Sequence, residues 1–141
     1  MNKELEKKEA EKTEIPKKAT FQDFLAKKVK TEENKNATID AFVPSMDRTI
    51  TLVKPSEERL YTYADELGSN ANLKTIVETN RKLIYDCCSE LQNPELHEAL
   101  EVKDPYDVPR ILFEINEVKE IMNQFNRILN STKIEEKIKN S

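Results

Sequence analysis

Glycine occurs once in the 141 residues, at Gly68, and tryptophan not at all. Phosphate-binding loops of the common types place two or three glycines close together, so the chain holds neither of them. One histidine, His97, and two cysteines, the neighbours Cys87 and Cys88, leave little for metal chemistry. A bridge between adjacent cysteines is strained, and the paired spacings of zinc sites are missing. No apolar run approaches the roughly 18–20 residues that a membrane-spanning helix needs, and mean hydropathy is -0.75. The stretch Met1–Ala10 is highly charged, without the apolar centre of a secretory signal. These absences exclude a membrane protein and argue against most enzyme classes. They lead to the expectation of a helical binding or structural protein in a reducing cytoplasm.

What the chain has is charge, unevenly spread. Residues 1–36 carry ten Lys and eight Asp or Glu, a net of +2, whereas residues 37–132 carry ten Lys or Arg against seventeen Asp or Glu, a net of -7. A body this acidic repels phosphate backbones, because nucleic-acid affinity rests on Lys and Arg releasing counterions. The positives of the N-terminal stretch alternate with Glu and make no basic patch. No nucleic acid is expected as a partner.

Residues 1–19 hold only Leu5 and Ile15 as large apolar side chains, too few to offset the entropy of ordering, so they read as a disordered tail. A short amphipathic helix follows, with Thr20 as its cap, Asp23 three residues on, and Phe21, Phe24, Leu25 and Val29 on one face. Residues 30–36 read as a polar linker. Between about 37 and 54, Ile39, Val43, Ile50, Leu52 and Val53 stand among threonines, with Pro44 to Arg48 as a turn, which predicts a hairpin.

From Pro55 on, the pattern is helical. Ser56 caps a helix with the inner stripe Leu60, Ala64 and Leu67, stopped by Gly68. The next is expected to run from about Ala71 to Leu91 with Leu73, Ile76, Val77, Leu83, Ile84, Cys87, Cys88 and Leu91 inward, supported by a Glu78–Lys82 pair. Asn93-Pro94 and Asp104-Pro105 each start a short helix, the latter with Asp as cap and with Val108, Ile111, Leu112 and Phe113 inward. Asn116 opens the last helix, with the face Val118, Ile121, Met122, Phe125, Ile128 and Leu129. The expected fold is mainly α (α+β): a small hairpin packed on about five helices, one domain over 20–130, and a polar tail over 131–141.

The sharpest candidate for chemistry is His97-Glu98-Ala99-Leu100-Glu101, one residue short of the two-histidine zinc protease motif, with Glu where the second His belongs. Without another histidine the ligand set would need further carboxylates, and no metal is assigned. A nucleophilic Cys87 or Cys88 would need a base such as His97; both fall on an inner helical stripe, where cysteine acts as a small hydrophobe. No catalytic, metal or cofactor residue is assigned. The candidates for contact with a partner are Phe21, Phe24 and Leu25 on the first helix, Tyr61 and Tyr63 beside the inner stripe of the second, and Met122 and Phe125 on the last.

Four stretches in order resemble a known family. They are Phe21-Gln22-Asp23-Phe24-Leu25-Ala26 with Val29; Val43 through Thr49-Ile50-Thr51-Leu52-Val53 into Pro55-Ser56-Glu57-Glu58; Asn93-Pro94-Glu95-Leu96 with Asp104-Pro105-Tyr106-Asp107-Val108; and Ile111-Leu112-Phe113-Glu114, Glu117 and the helix to Leu129. Together they resemble the phage tail assembly chaperones of the XkdN-like group. The linker between the strands is shorter and lacks the glycine of that pattern, as does the end of the last helix.

The resemblance implies a protein of the host cytoplasm, active during virion assembly, that binds the tape measure protein, keeps it soluble and helps recruit tail tube subunits. It implies no cofactor and no catalytic residue. Two other readings fit the composition: a structural tail component retained in the virion, and an unrelated helical adaptor or regulator. A cysteine or metal hydrolase is a further one, and it requires Cys88 or His97 for activity.

Overall fold

A computed structural model describes residues 15–129. The chain divides into two compact units, Met1–Glu32 and Glu33–Ser141. The tail expected over 131–141, and most of the one expected over 1–19, lie outside the described residues; residues 15–20 are exposed and irregular.

The first helix, α1 (Phe21–Lys35), buries no residue. Its start is a reciprocal cap: Thr20 donates its N–H and hydroxyl to the Asp23 carboxylate at 2.8 and 3.0 Å, and the Asp23 N–H returns to Thr20 Oγ1 at 3.3 Å. Those bonds hold the Asp23 carboxyl below its usual range. The helix continues through residues 30–35, expected as linker, because that stretch is rich in Lys and Glu and has no Pro or Gly to stop it.

In the second unit, β1 (Thr38–Val43) and β2 (Arg48–Val53) form an antiparallel hairpin with Ala41 opposite Ile50 and Phe42 opposite Thr49. The turn closes with Met46 N–H on Val43 O at 3.1 Å and with Asp47 in the left-handed region, φ 51. Alternation sends Ala41, Val43, Ile50 and Leu52 to the core and leaves Phe42 and Val53 exposed. Two strands are marginal alone, and this pair packs against helices.

The remaining helices are α2 (Glu57–Leu67), α3 (Leu73–Cys87), α4 (Pro94–Ala99), α5 (Asp107–Leu112) and α6 (Ile115–Leu129). The protein is mainly α with a small hairpin, and five of its six described α-helices lie in the second unit. Ser56 caps α2 by accepting the Arg59 N–H, Asn72 caps α3 through Thr75, and Asn93 caps α4 through Glu95. Gly68 ends α2 at φ 63, a left-handed conformation that suits glycine.

Three boundaries differ from the sequence pattern. Helix α3 stops at Cys87 rather than Leu91: Cys88 is extended, a 3-10 turn spans Ser89–Gln92, and Gln92 Nε2 reaches back to the terminal carbonyls of Tyr85 and Asp86. Asp104 and Pro105 form a turn ahead of α5, with Asp104 Oδ1 accepting the Tyr106 N–H, so α5 begins at Asp107. The expected Glu78–Lys82 pair is replaced. Glu78 binds Arg81 at 3.1 Å and Arg110 at 2.7 Å, while Lys82 faces Glu66 at 3.8 Å.

Helix α3 is the organising element, with α2, α5, α6 and the hairpin packed around it. The fully buried side chains include Leu52, Leu83, Ile84, Phe113, Ile121 and Phe125. Leu73 and Ile111, expected inward, are exposed, because each sits at or near an end of its helix. No helix among the described residues is long and apolar enough to cross a membrane.

Candidate functional site

The sequence candidates separate by burial. Phe21, Phe24 and Leu25 are exposed on α1, Phe24 to 64 %, and Tyr61 is 60 % exposed on α2. Met122 and Phe125 are buried among Val118 and Ile121 in the core, and Tyr63 is buried as well. The structure therefore brings Met122 and Phe125 together as packing residues of α6 and leaves Tyr61 and the α1 stripe open to solvent.

An apolar concavity lies between α3 and α6. It has a volume of about 430 Å³ and is lined by Leu73, Ile76, Val77, Ile115, Val118 and Met122, with Lys119 and the asparagines Asn80, Asn123 and Asn126 among its polar atoms. Leu73 and Ile115 are 65 % and 52 % exposed, the opposite of what an inner stripe would give. Asn126 Oδ1 is buried with no hydrogen-bond partner among the described residues. Sequence periodicity does not reveal Leu73 and Ile115 as exposed lining of this concavity, because it places Leu73 inward and starts the last helix after Ile115.

A second cluster is polar and already satisfied. Asp86 accepts from the Tyr63 hydroxyl, from the Tyr106 hydroxyl at 2.9 Å and from Arg59 at 3.0 Å. Arg59 also donates to Tyr63 Oη at 3.4 Å, and Tyr106 packs edge-on to Tyr85 with centroids 5.2 Å apart. Burial, followed by the bond to Asp86, raises the Tyr63 phenol well above its ordinary value, and the Tyr106 phenol rises for the same reasons. With every oxygen engaged, this cluster clasps α2, α3 and the turn before α5.

The candidates for chemistry are placed differently from their motif. Helix α4 ends at Ala99 and Glu101 is left-handed, φ 57, so Glu101 leaves the face that holds His97. His97 Nε2 lies 2.9 Å from Leu91 O, to which it donates, and 3.2 Å from the Tyr85 hydroxyl. No group of three or more His, Cys, Asp or Glu side chains is placed to hold a metal ion among the described residues. Cys87 and Cys88 are free and buried. Burial pushes the Cys87 thiol up to about 12 and also raises Cys88, the reverse of an activated nucleophile.

These raised values fix an alkaline limit to stability. Cys87 keeps its proton in the fold to about 12, against an ordinary value of 9.0, so above pH 9 the folded state binds more protons than the unfolded one. The contribution of Cys87 is then complete below pH 9 and falls as pH rises toward 12, by up to about 1.4 kcal/mol per pH unit. Tyr63 and Tyr106 add to the fall above their ordinary 10.0. Urea unfolding across pH 7–12 is expected to show a plateau and then a decline, and Cys87→Ala should flatten its first part. An unchanged slope in that variant would remove the thiol as the cause.

No family model, curated protein or solved structure matches the chain.

Proposed function

We propose that the chain is a phage tail assembly chaperone of the host cytoplasm, a binding protein that turns over no substrate. It holds apolar helical segments of a tape measure protein in the groove between α3 and α6 and releases them as tail tube subunits are recruited. The observation that carries this reading is the groove itself, where large aliphatic side chains at the starts of two helices stand in solvent although the domain has a complete core. Exposed apolar surface rimmed by polar residues marks interaction sites. A groove between two helices suits an amphipathic helix whose apolar face is read at three- and four-residue spacing.

A long helical chain awaiting enclosure exposes such stripes and would associate with itself. A soluble, acidic partner covering them one at a time prevents that and keeps the complex dispersed. Modest affinity per site suits release from a partner bound by many copies.

The test pairs an affinity capture from phage-producing cells with a blot of purified virions. Capture of a tape measure protein without a virion band is expected. Leu73→Glu with Ile115→Glu should lower capture at least about tenfold, since losing even one buried aliphatic contact costs about 1.5–3 kcal/mol. Stability should change little, because both residues are exposed. A stoichiometric virion band would make the protein a retained tail component, and capture indifferent to both substitutions would remove the groove.

A further inference from the structure

We propose that the outer edge of β2 is a docking site for an extended segment of another protein with acidic residues at both ends, which joins the hairpin as a third strand. This inference does not rest on the chaperone reading. It starts from the two edges of the hairpin, which are treated differently. On β1, the Phe42 N–H donates to Gln124 Oε1 at 2.8 Å and Phe42 O accepts from Gln124 Nε2 at 2.9 Å. The amide of an α6 side chain thus occupies the place of a neighbouring strand. Because Phe42 spends both groups outward, its opposite residue Thr49 belongs to a pair that exchanges no hydrogen bonds.

Alternation along an antiparallel ladder then sets the rest. Ile50 and Leu52 bond to β1, and the N–H and C=O groups of Thr49, Thr51 and Val53 point to the opposite side. The bond from Lys54 N–H to Ala37 O at 2.9 Å keeps the same phase. Among the described residues no hydrogen bond reaches the outward backbone groups of those three residues. Strand β2 has no proline, and its register with β1 runs without a bulge, so two of the usual safeguards of an edge are missing.

What remains is charge, and it chooses the occupant. Arg48 and Lys54 flank the edge, and neither forms an ion pair among the described residues; Arg48 Nη1 donates to the uncharged Asp47 carbonyl at 2.8 Å, which leaves its charge unpaired. Lys74, Lys103, Lys119 and Arg127 also lack ion pairs among the described residues, but Arg48 and Lys54 are the two cations that bracket an open strand. At its middle, Thr51 Oγ1 donates to the Asp40 carboxylate at 2.8 Å, which places the favourable positions for acidic residues at the ends of a guest. A second copy paired antiparallel about Thr51 would set Arg48 against Lys54, a like-charge pair at each end, which opposes self-pairing. A guest strand with acidic ends meets both cations favourably. Main-chain bonds to Thr49, Thr51 and Val53 supply the affinity, and the exposed Val53 side chain receives an apolar or β-branched neighbour.

Two synthetic peptides test this on the full chain: Glu-Thr-Val-Thr-Val-Thr-Glu with blocked ends, and its twin with Lys at both ends. Titration into isotope-labelled protein is expected to move the amide signals of Thr49, Thr51 and Val53, with the acidic peptide bound at least about threefold tighter than the basic one. Methylating alternate backbone nitrogens of the acidic peptide gives two isomers. One should lose binding and the other keep it, since only one set of amides faces β2; this arm needs no protein variant. Arg48→Glu with Lys54→Glu should reverse the preference between the twins. Equal binding of both isomers, indifference to peptide charge, or no saturable binding would each overturn the proposal. Concentration-dependent dimerisation abolished by Thr49→Pro would assign the edge to a second copy instead.

Discussion

Phe125→Ala is expected to cost the protein about 3–5 kcal/mol of unfolding free energy, read from urea titration. The side chain is fully buried on α6 beside Val118, Ile121 and Met122, in the cluster that includes the inward residues of the hairpin. Removing an aromatic ring there loses its transfer free energy and leaves a cavity that the hairpin and α3 close only in part. Phe24→Ala is the matching control. Phe24 is 64 % exposed on a helix that buries nothing, so its loss should fall within about 0.5 kcal/mol of zero. Similar costs for both would mean that α6 is not packed as described.

That pair of phenylalanines shows what a sequence conveys and where it stops. Phe24 and Phe125 both sit on apolar stripes at helical spacing, and the pattern alone names each stripe without naming what covers it. Burial is decided by residues far along the chain, and for Phe125 those include residues of the hairpin. The same holds for Tyr61 and Tyr63, two residues apart on α2: one faces solvent, and the other turns inward to a carboxylate 23 residues away.

Features set by local chemistry were legible. The caps at Thr20 and Ser56 are short-range hydrogen bonds between neighbours, and the alternation of β2 follows from the pleat. The stop of α3 at Cys87 was not, because the side chain that replaces the helical bonds is Gln92, reaching back from the following turn. The groove was illegible for a related reason. Leu73 and Ile115 continue the apolar stripes of their helices, but they stand at the first residue of each, where the stripe runs past its covering neighbour.

Asp86→Ala is expected to lower stability by about 3 kcal/mol, through the loss of two phenol bonds to a charged acceptor at roughly 1.5 kcal/mol each. The Asp86 side chain is 11 % exposed, whereas its ion-pair partner Arg59 is 57 % exposed, so the pair itself adds little. Alanine leaves the Tyr63 proton without an acceptor, since Arg59 only donates to that oxygen. It also frees Tyr106, the residue through which the turn before α5 is tied to α3. Asp86→Asn keeps one acceptor oxygen of the same shape and should cost about half as much. In a double-mutant cycle, Tyr63→Phe should cost markedly less in the Asp86→Ala background than alone, because its partner is already gone. Additive costs would mean that the phenol and the carboxylate act independently, and Tyr63 would then return to Tyr61 as a candidate for contact with a partner rather than a part of the clasp.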